Sequence, residues 1–216
     1  MNRNQRSVKS LLWVLLAGVP LLTPARTLVL DAQQADQMAA IHEQAQRLSW
    51  AAYSPRAGQF DTVWLNLNTE GRFLIRFDFT MIPKGQRITH AELSVPVTVV
   101  SGTEPRLFLW RMQADWGVGV CHTYSMTEPK LLPWGMAGAK APGRDRALTP
   151  TAVLRITSPG QQVVNVTEDV SLWYLGAAPS RGWMLSVEDE GVNMRLPSPA
   201  YETASDWRLL ITYEPQ

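Results

Sequence analysis

His122 and Tyr124 stand two residues apart, so in an extended backbone both side chains would leave the same face. A histidine and a tyrosine so placed could act as base and acid in β-elimination from a uronic acid. Arg111 or Lys130 could then neutralise the substrate carboxylate. Three aromatics in the same region, Trp116, Tyr124 and Trp134, offer different chemistry: flat rings stack on the C–H faces of sugars. The alternative for these large rings is to plug one end of a protein core. Lys130, Arg144 and Arg146 lie in the same stretch and could draw an anionic chain, or serve only as solvated loop charges. Arg76 and Asp78 are also two apart; they read as a structural ion pair, with contact to a sugar carboxylate as the functional alternative.

Other chemistry finds little support. Glu188-Asp189-Glu190 could offer oxygens to a structural calcium ion or a glycosidase carboxylate, but three consecutive acids in a turn point in different directions. Cys121 beside His122 is no zinc motif, and His42 and His90 lie far apart. Nothing resembles a phosphate loop, a nucleophile elbow or an HExxH site. No cofactor and no metal ligand set is predicted, and no residue is assigned as catalytic beyond the weak His122–Tyr124 pair.

These residues must be positioned by strands. Gly71–Pro83 is the clearest alternating run: Phe73, Ile75, Phe77 and Phe79 point one way, Arg72, Leu74, Arg76 and Asp78 the other. Ile88–Val100 follows after Pro83-Lys84-Gly85, with Ala91, Leu93, Val95, Val97 and Val99 as its core face. Pro96 cannot donate a ladder hydrogen bond, which predicts an edge or a bulge for this segment. Further strands are read at Thr27–Leu30, Asp61–Leu67, Arg106–Met112, Val153–Thr157 and Gln162–Val166. Trp183–Val187 and Val192–Leu196 read as a hairpin about the acidic turn, and Trp207–Tyr213 as the last strand. Helical spacing of Met38, Ile41, Ala45 and Leu48 predicts a short helix within 33–48. Thr167–Tyr174 reads as a second, with Thr167 as N-cap and Gly176 as stop. Between Ala114 and Pro150 no period is sustained; a loop that long is functional or disordered, and its aromatics argue against disorder.

The 216 residues suffice for one sizeable domain. Fifteen prolines, fourteen glycines and many short strands point to an all-β sandwich rather than a helical bundle. With 20 Lys+Arg against 19 Asp+Glu there is no field to favour nucleic acid. Cys121 is the single cysteine, so no internal disulfide forms. Arg3, Arg6 and Lys9, the apolar Leu11–Leu22 and Thr23-Pro24-Ala25 have the order of a signal peptide over 1–25. That apolar run is short for a membrane span, which needs about 20 residues. Export to the cell envelope or beyond is therefore expected, with 26–60 joining a main domain over 61–216.

Leu74-Ile75-Arg76-Phe77-Asp78-Phe79, Ile82-Pro83 and Ile88-Thr89-His90-Ala91-Glu92-Leu93 resemble the LLRFDLS-IP-G-x-x-V-x-x-A-x-L core of the DNRLRE, or disaggregatase-related, extracellular domains. Trp110-Arg111 followed by Ala114–Gly119, then Pro133-Trp134 and Gly138–Gly143, are similar to that family's later turns. Val164–Thr167 through Trp173-Tyr174 resembles its DVT–V–W–G element, and Leu209–Tyr213 its last strand. The resemblance covers roughly 60–214 and implies a jelly-roll sandwich of secreted microbial proteins, some of which bind acidic polysaccharides. It makes a non-catalytic polysaccharide-binding module the leading expectation, with ligand contacts at Trp116, Tyr124, Lys130, Trp134 and Arg144. An adhesive surface protein with a protein partner comes second, and a small polysaccharide lyase third.

Overall fold

The structure is a computed structural model that describes residues 24–47, 50–53, 64–197 and 206–216. Almost all of the expected signal segment, the 55–59 link and the start of the 61–67 strand lie outside these residues. In chain order the elements are β1 (Arg26–Asp31), β2 (Ala35–His42), β3 (Trp50–Tyr53), β4 (Trp64–Leu67), β5 (Gly71–Phe77), β6 (Gln86–Val97), β7 (Val99–Ser101) and β8 (Arg106–Arg111). There follow β9 (Tyr124–Met126), β10 (Leu132–Pro133), β11 (Ala152–Arg155), β12 (Gly160–Asn165), α1 (Thr167–Tyr174), β13 (Trp183–Ser186), β14 (Asn193–Pro197) and β15 (Arg208–Pro215). A four-stranded sheet, β1-β15-β6-β12, faces a six-stranded sheet, β11-β8-β13-β5-β2-β3. A smaller sheet, β4-β14-β7, and the β9–β10 pair complete the fold. The chain is an all-β sandwich with antiparallel strand pairing.

Alternation on β5, β6 and β15 builds the core between the two large sheets. Phe73, Ile75 and Phe77 of β5 meet Ala91, Leu93, Val95 and Val97 of β6 and Leu209 and Ile211 of β15, all buried. Trp207 packs its ring 5.0 Å from that of Phe73. Each buried Val, Leu, Ile or Phe side chain contributes about 1.5–3 kcal/mol by leaving water. The opposite face of β5 is covered as well. Leu74 joins Ala39 and Ile41 of β2, Trp110 of β8 and Met184 of β13 in a second apolar cluster. Its lid is the 114–147 excursion, which supplies Trp116, Val120, Trp134 and Ala139. The six-stranded sheet is thus buried on both faces, which is why β13 is apolar or small throughout.

Several local expectations change. Residues 35–42 form strand β2, not a helix. A bulge between Ala35 and Gln37 shifts the side-chain alternation, so Ala35 and Met38 both enter the central core while Ala39 and Ile41 face the lid. A bulged strand buried on two faces mimics helical spacing. The acidic turn does not close a hairpin: β13 pairs with β5 and β8, whereas β14 pairs with β4 and β7, so 187–192 crosses from one sheet to another. β6 is central rather than an edge. Pro96 is accommodated because β15 begins opposite Ser94, leaving Pro96 with Gln161 of β12 as its one ladder partner. Val99 falls beyond the break at Thr98, on β7, and is 44% exposed. Helix α1 has the expected bounds, and Gly176 at φ 70° stops it. Val166, not Thr167, occupies the N-cap; the Thr167 hydroxyl accepts instead from Ala91 N at 2.8 Å, tying the helix to β6.

Candidate functional site

Two of the three loop aromatics are buried. Trp116 is 2% and Trp134 5% exposed, and each indole N–H is satisfied internally. Trp116 donates to Arg181 O at 2.7 Å and Trp134 to Cys121 O at 2.8 Å. They cannot present a face to a sugar without opening the lid, and they do not form an exposed groove with Tyr124, which is half-buried on β9. Lys130 and Arg144 are exposed on the outside of the excursion. Arg146 is turned inward, its guanidinium 3.8 Å from the Trp110 ring centroid and its Nη1 donating to Glu188 Oε1 at 2.9 Å.

The excursion holds its shape through Asp145. This buried carboxylate accepts from Gly135 N at 2.7 Å and from Met136 N and Ala141 N at 3.0 Å. The Asp145 carbonyl accepts from Gln113 N and Ala114 N, fastening the knot to the end of β8. No periodic signal marks such a residue, because its partners are backbone groups of a non-repeating loop.

At the edge of the lid lies a partly buried polar cluster, in which Ser186, Arg146 and Arg72 are buried and Glu188 is exposed. Ser186 donates to Glu188 Oε1 at 2.6 Å and accepts from Trp110 Nε1 at 3.0 Å. Burial pushes the Glu188 carboxyl up, but the Ser186 and Arg146 hydrogen bonds and the charges of Arg146 and Arg72 outweigh it and hold it below its ordinary value. Burial lowers Arg72, with Glu188 opposing and Arg146 adding to the shift. His122 is 6% exposed. Burial also lowers its pKa, against the pull of Glu43 and with help from Lys140 and Arg72. Its ring lies where a Cβ on Gly138 would sit 3.0 Å away, so the glycine (φ 75°) permits the close approach. His122 precedes β9 in a bend, so the extended backbone required for a shared His122–Tyr124 face is absent. The histidine has no access to a polymer.

Arg76 and Asp78 part company. Arg76 pairs with Asp36, Nε to Oδ2 at 2.6 Å, across the β5–β2 register. Asp78 lies past the end of β5 and accepts from Thr80 N at 2.9 Å. Both line a cleft of about 570 Å³ between the end of β5 and helix α1, within the roughly 300–1,000 Å³ typical of ligand clefts. Phe79, Trp173 and Tyr174 form its apolar wall, and Lys84 stands at the rim. Trp173 stacks on Phe79 at a centroid distance of 6.2 Å, and the Tyr174 hydroxyl is fixed by donating to Pro83 O at 2.5 Å. The indoles of Trp110, Trp116, Trp134, Trp183 and Trp207 each donate a hydrogen bond. Trp173, also in the wall, is 6% exposed and its Nε1 has no protein partner. Sequence reading missed Asp36 and Trp173. The only available signal was the resemblance of Trp173-Tyr174 to a family element.

Two other clefts are more polar. One of about 550 Å³ is lined by residues such as His42, Asn66, Glu70 and Asn193, and one of about 250 Å³ by Arg111, Glu168 and Asp169. In the acidic turn, Glu188 is committed to Arg146 and Asp189 to Arg106. Among the described residues no group of three or more His, Cys, Asp or Glu side chains is arranged to hold a metal ion, and no described helix is long and apolar enough to cross a membrane. No family model and no curated protein matches the chain.

Proposed function

We propose that the protein is a non-catalytic module that binds extracellular or cell-surface polysaccharide, with the ligand seated in the cleft between β5 and α1. The observation that carries the reading is the composition of that cleft. Half-buried Tyr174, with the small accessible parts of Phe79 and Trp173, supplies apolar ring surface, while Asp36, Asp78 and Lys84 supply hydrogen-bonding groups. A sugar needs both: ring C–H groups on aromatic carbon and hydroxyls on polar side chains. The resemblance to DNRLRE domains and the signal-like N-terminus point to the same role outside the cell.

The site proposed is thus the cleft at the C-terminal end of β5 rather than the 114–150 excursion. A glycan array followed by affinity electrophoresis tests this. Thr80→Trp and Ser180→Trp, which place bulk at exposed positions of the cleft, should abolish retention by the bound glycan while leaving the melting temperature near wild type. Retention unchanged in both variants would refute the cleft. The protein-partner alternative draws on Val118, Leu131 and Met136, exposed on the outer surface of the lid. Absence of glycan binding together with capture of a protein through these residues would favour it.

A further inference from the structure

We infer that the cleft selects an uncharged saccharide over a polyuronate; this rests on the binding reading above and names its ligand class. Four charged side chains line the cleft, Asp36 and Asp78 against Arg76 and Lys84. The two signs balance, so no net field draws a polyanion. The cation best suited to a carboxylate is already occupied. Arg76 gives Nε to Asp36 Oδ2 at 2.6 Å and sets Nη2 2.5 Å from the same oxygen. A uronate could reach only the Nη1 and remaining Nη2 hydrogens, which would set its carboxylate beside that of Asp36. Like charges so close in a partly enclosed cleft repel strongly.

The remaining cation is Lys84, exposed at the rim. A single solvated lysine is screened by salt and adds little. Lys130 and Arg144, the basic residues that suggested an anionic ligand, are not among the cleft's lining residues. What the cleft does offer suits neutral hydroxyls. The carboxylates of Asp36 and Asp78 accept from sugar O–H groups in charge-assisted bonds. The Thr80 and Ser180 side chains can donate or accept. Vicinal hydroxyls on a pyranose fit a pair of carboxylates, whereas a uronate carboxylate facing them has no proton to give.

The experiment is calorimetric titration of the full chain with neutral oligosaccharides (cello- and manno-oligomers) and with length-matched uronate oligomers. Each is measured between about 0.01 and 0.1 M salt, over which the Debye length falls from about 30 to 10 Å. Wild type should bind a neutral oligomer with affinity constant to within about twofold across that range, and Thr80→Trp should abolish binding. Asp36→Asn, which releases Arg76, should gain about tenfold or more in uronate affinity, a gain that misfolding cannot mimic. Wild-type preference for uronates, weakening with salt and blocked by Thr80→Trp, would overturn the neutral-ligand inference while leaving the cleft in place. No binding of either class, or binding indifferent to Thr80→Trp, would overturn the cleft reading itself.

Discussion

Replacing Asp145 tests whether one buried carboxylate shapes the 114–147 lid. Asp145→Ala removes three hydrogen bonds, at 2.7, 3.0 and 3.0 Å, from the N–H groups of Gly135, Met136 and Ala141. Hydrogen bonds to a charged acceptor contribute about 1.5–3 kcal/mol each, so the simple sum reaches about 5–9 kcal/mol. Two effects reduce it. Gly135 and Met136 are otherwise exposed, so their N–H groups can turn to water. Removing the acid also restores the solvation that the buried carboxylate lost. A net cost of about 3–5 kcal/mol is expected, at the upper end of single-residue effects. Asp145→Asn keeps the shape but sets one amide N–H against a backbone N–H, and should cost nearly as much. Urea titration followed by tryptophan fluorescence measures this, since Trp134 lies one residue before the knot and should become solvated first. A change in midpoint worth less than about 0.5 kcal/mol, with an unchanged slope, would refute the assigned role.

The Arg146–Glu188 pair, at 2.9 Å over the Trp110 ring, should show coupling of about 1–3 kcal/mol in a double-mutant cycle of Arg146→Met and Glu188→Gln; additivity would mean the pair is solvated. Burial holds His122 below its unfolded pKa of about 6.5. The unfolded chain therefore takes up a proton that the native one refuses, and stability should decline as pH falls below about 6.5. Glu188, also depressed, contributes stability that is present above its unfolded pKa of about 4.3 and is lost on further acidification. His122→Gln should flatten the first decline and leave the second; an unaltered profile would contradict the burial argument. Cys121, buried at 1% exposure, should react with a thiol reagent only at the rate of lid opening or unfolding, and immediate labelling of native protein would show that the lid is open.

How much was legible depended on whether the signal was local. Alternation read over 71–83, 88–100 and 207–213 marked three strands of the core because each has one face against the opposite sheet. Helix 167–174 was legible from its acidic first turn and its glycine stop. Residues 35–42 were not, because a bulge and burial on two faces erase the period of two. The hairpin expectation for 183–196 failed for another reason: pattern shows that two segments are strands but not which strands they pair with. Arg76 was expected to pair with Asp78, but its partner is Asp36, forty residues earlier on β2.

The sequence alone determined the all-β class, the core-facing residues Ile75, Phe77 and Phe79, and the presence of an aromatic, aperiodic excursion. These follow from side-chain size and alternation, which act over a few residues. Only the tertiary structure decided that the excursion lies across the outer face of the six-stranded sheet, with Trp116 and Trp134 directed inward. The same structure placed Trp173 of α1 beside Asp78 of the β5 terminus in one cleft. Such placements depend on sheet order and register, which are set by the combined burial of distant segments and leave no periodic trace in any one of them.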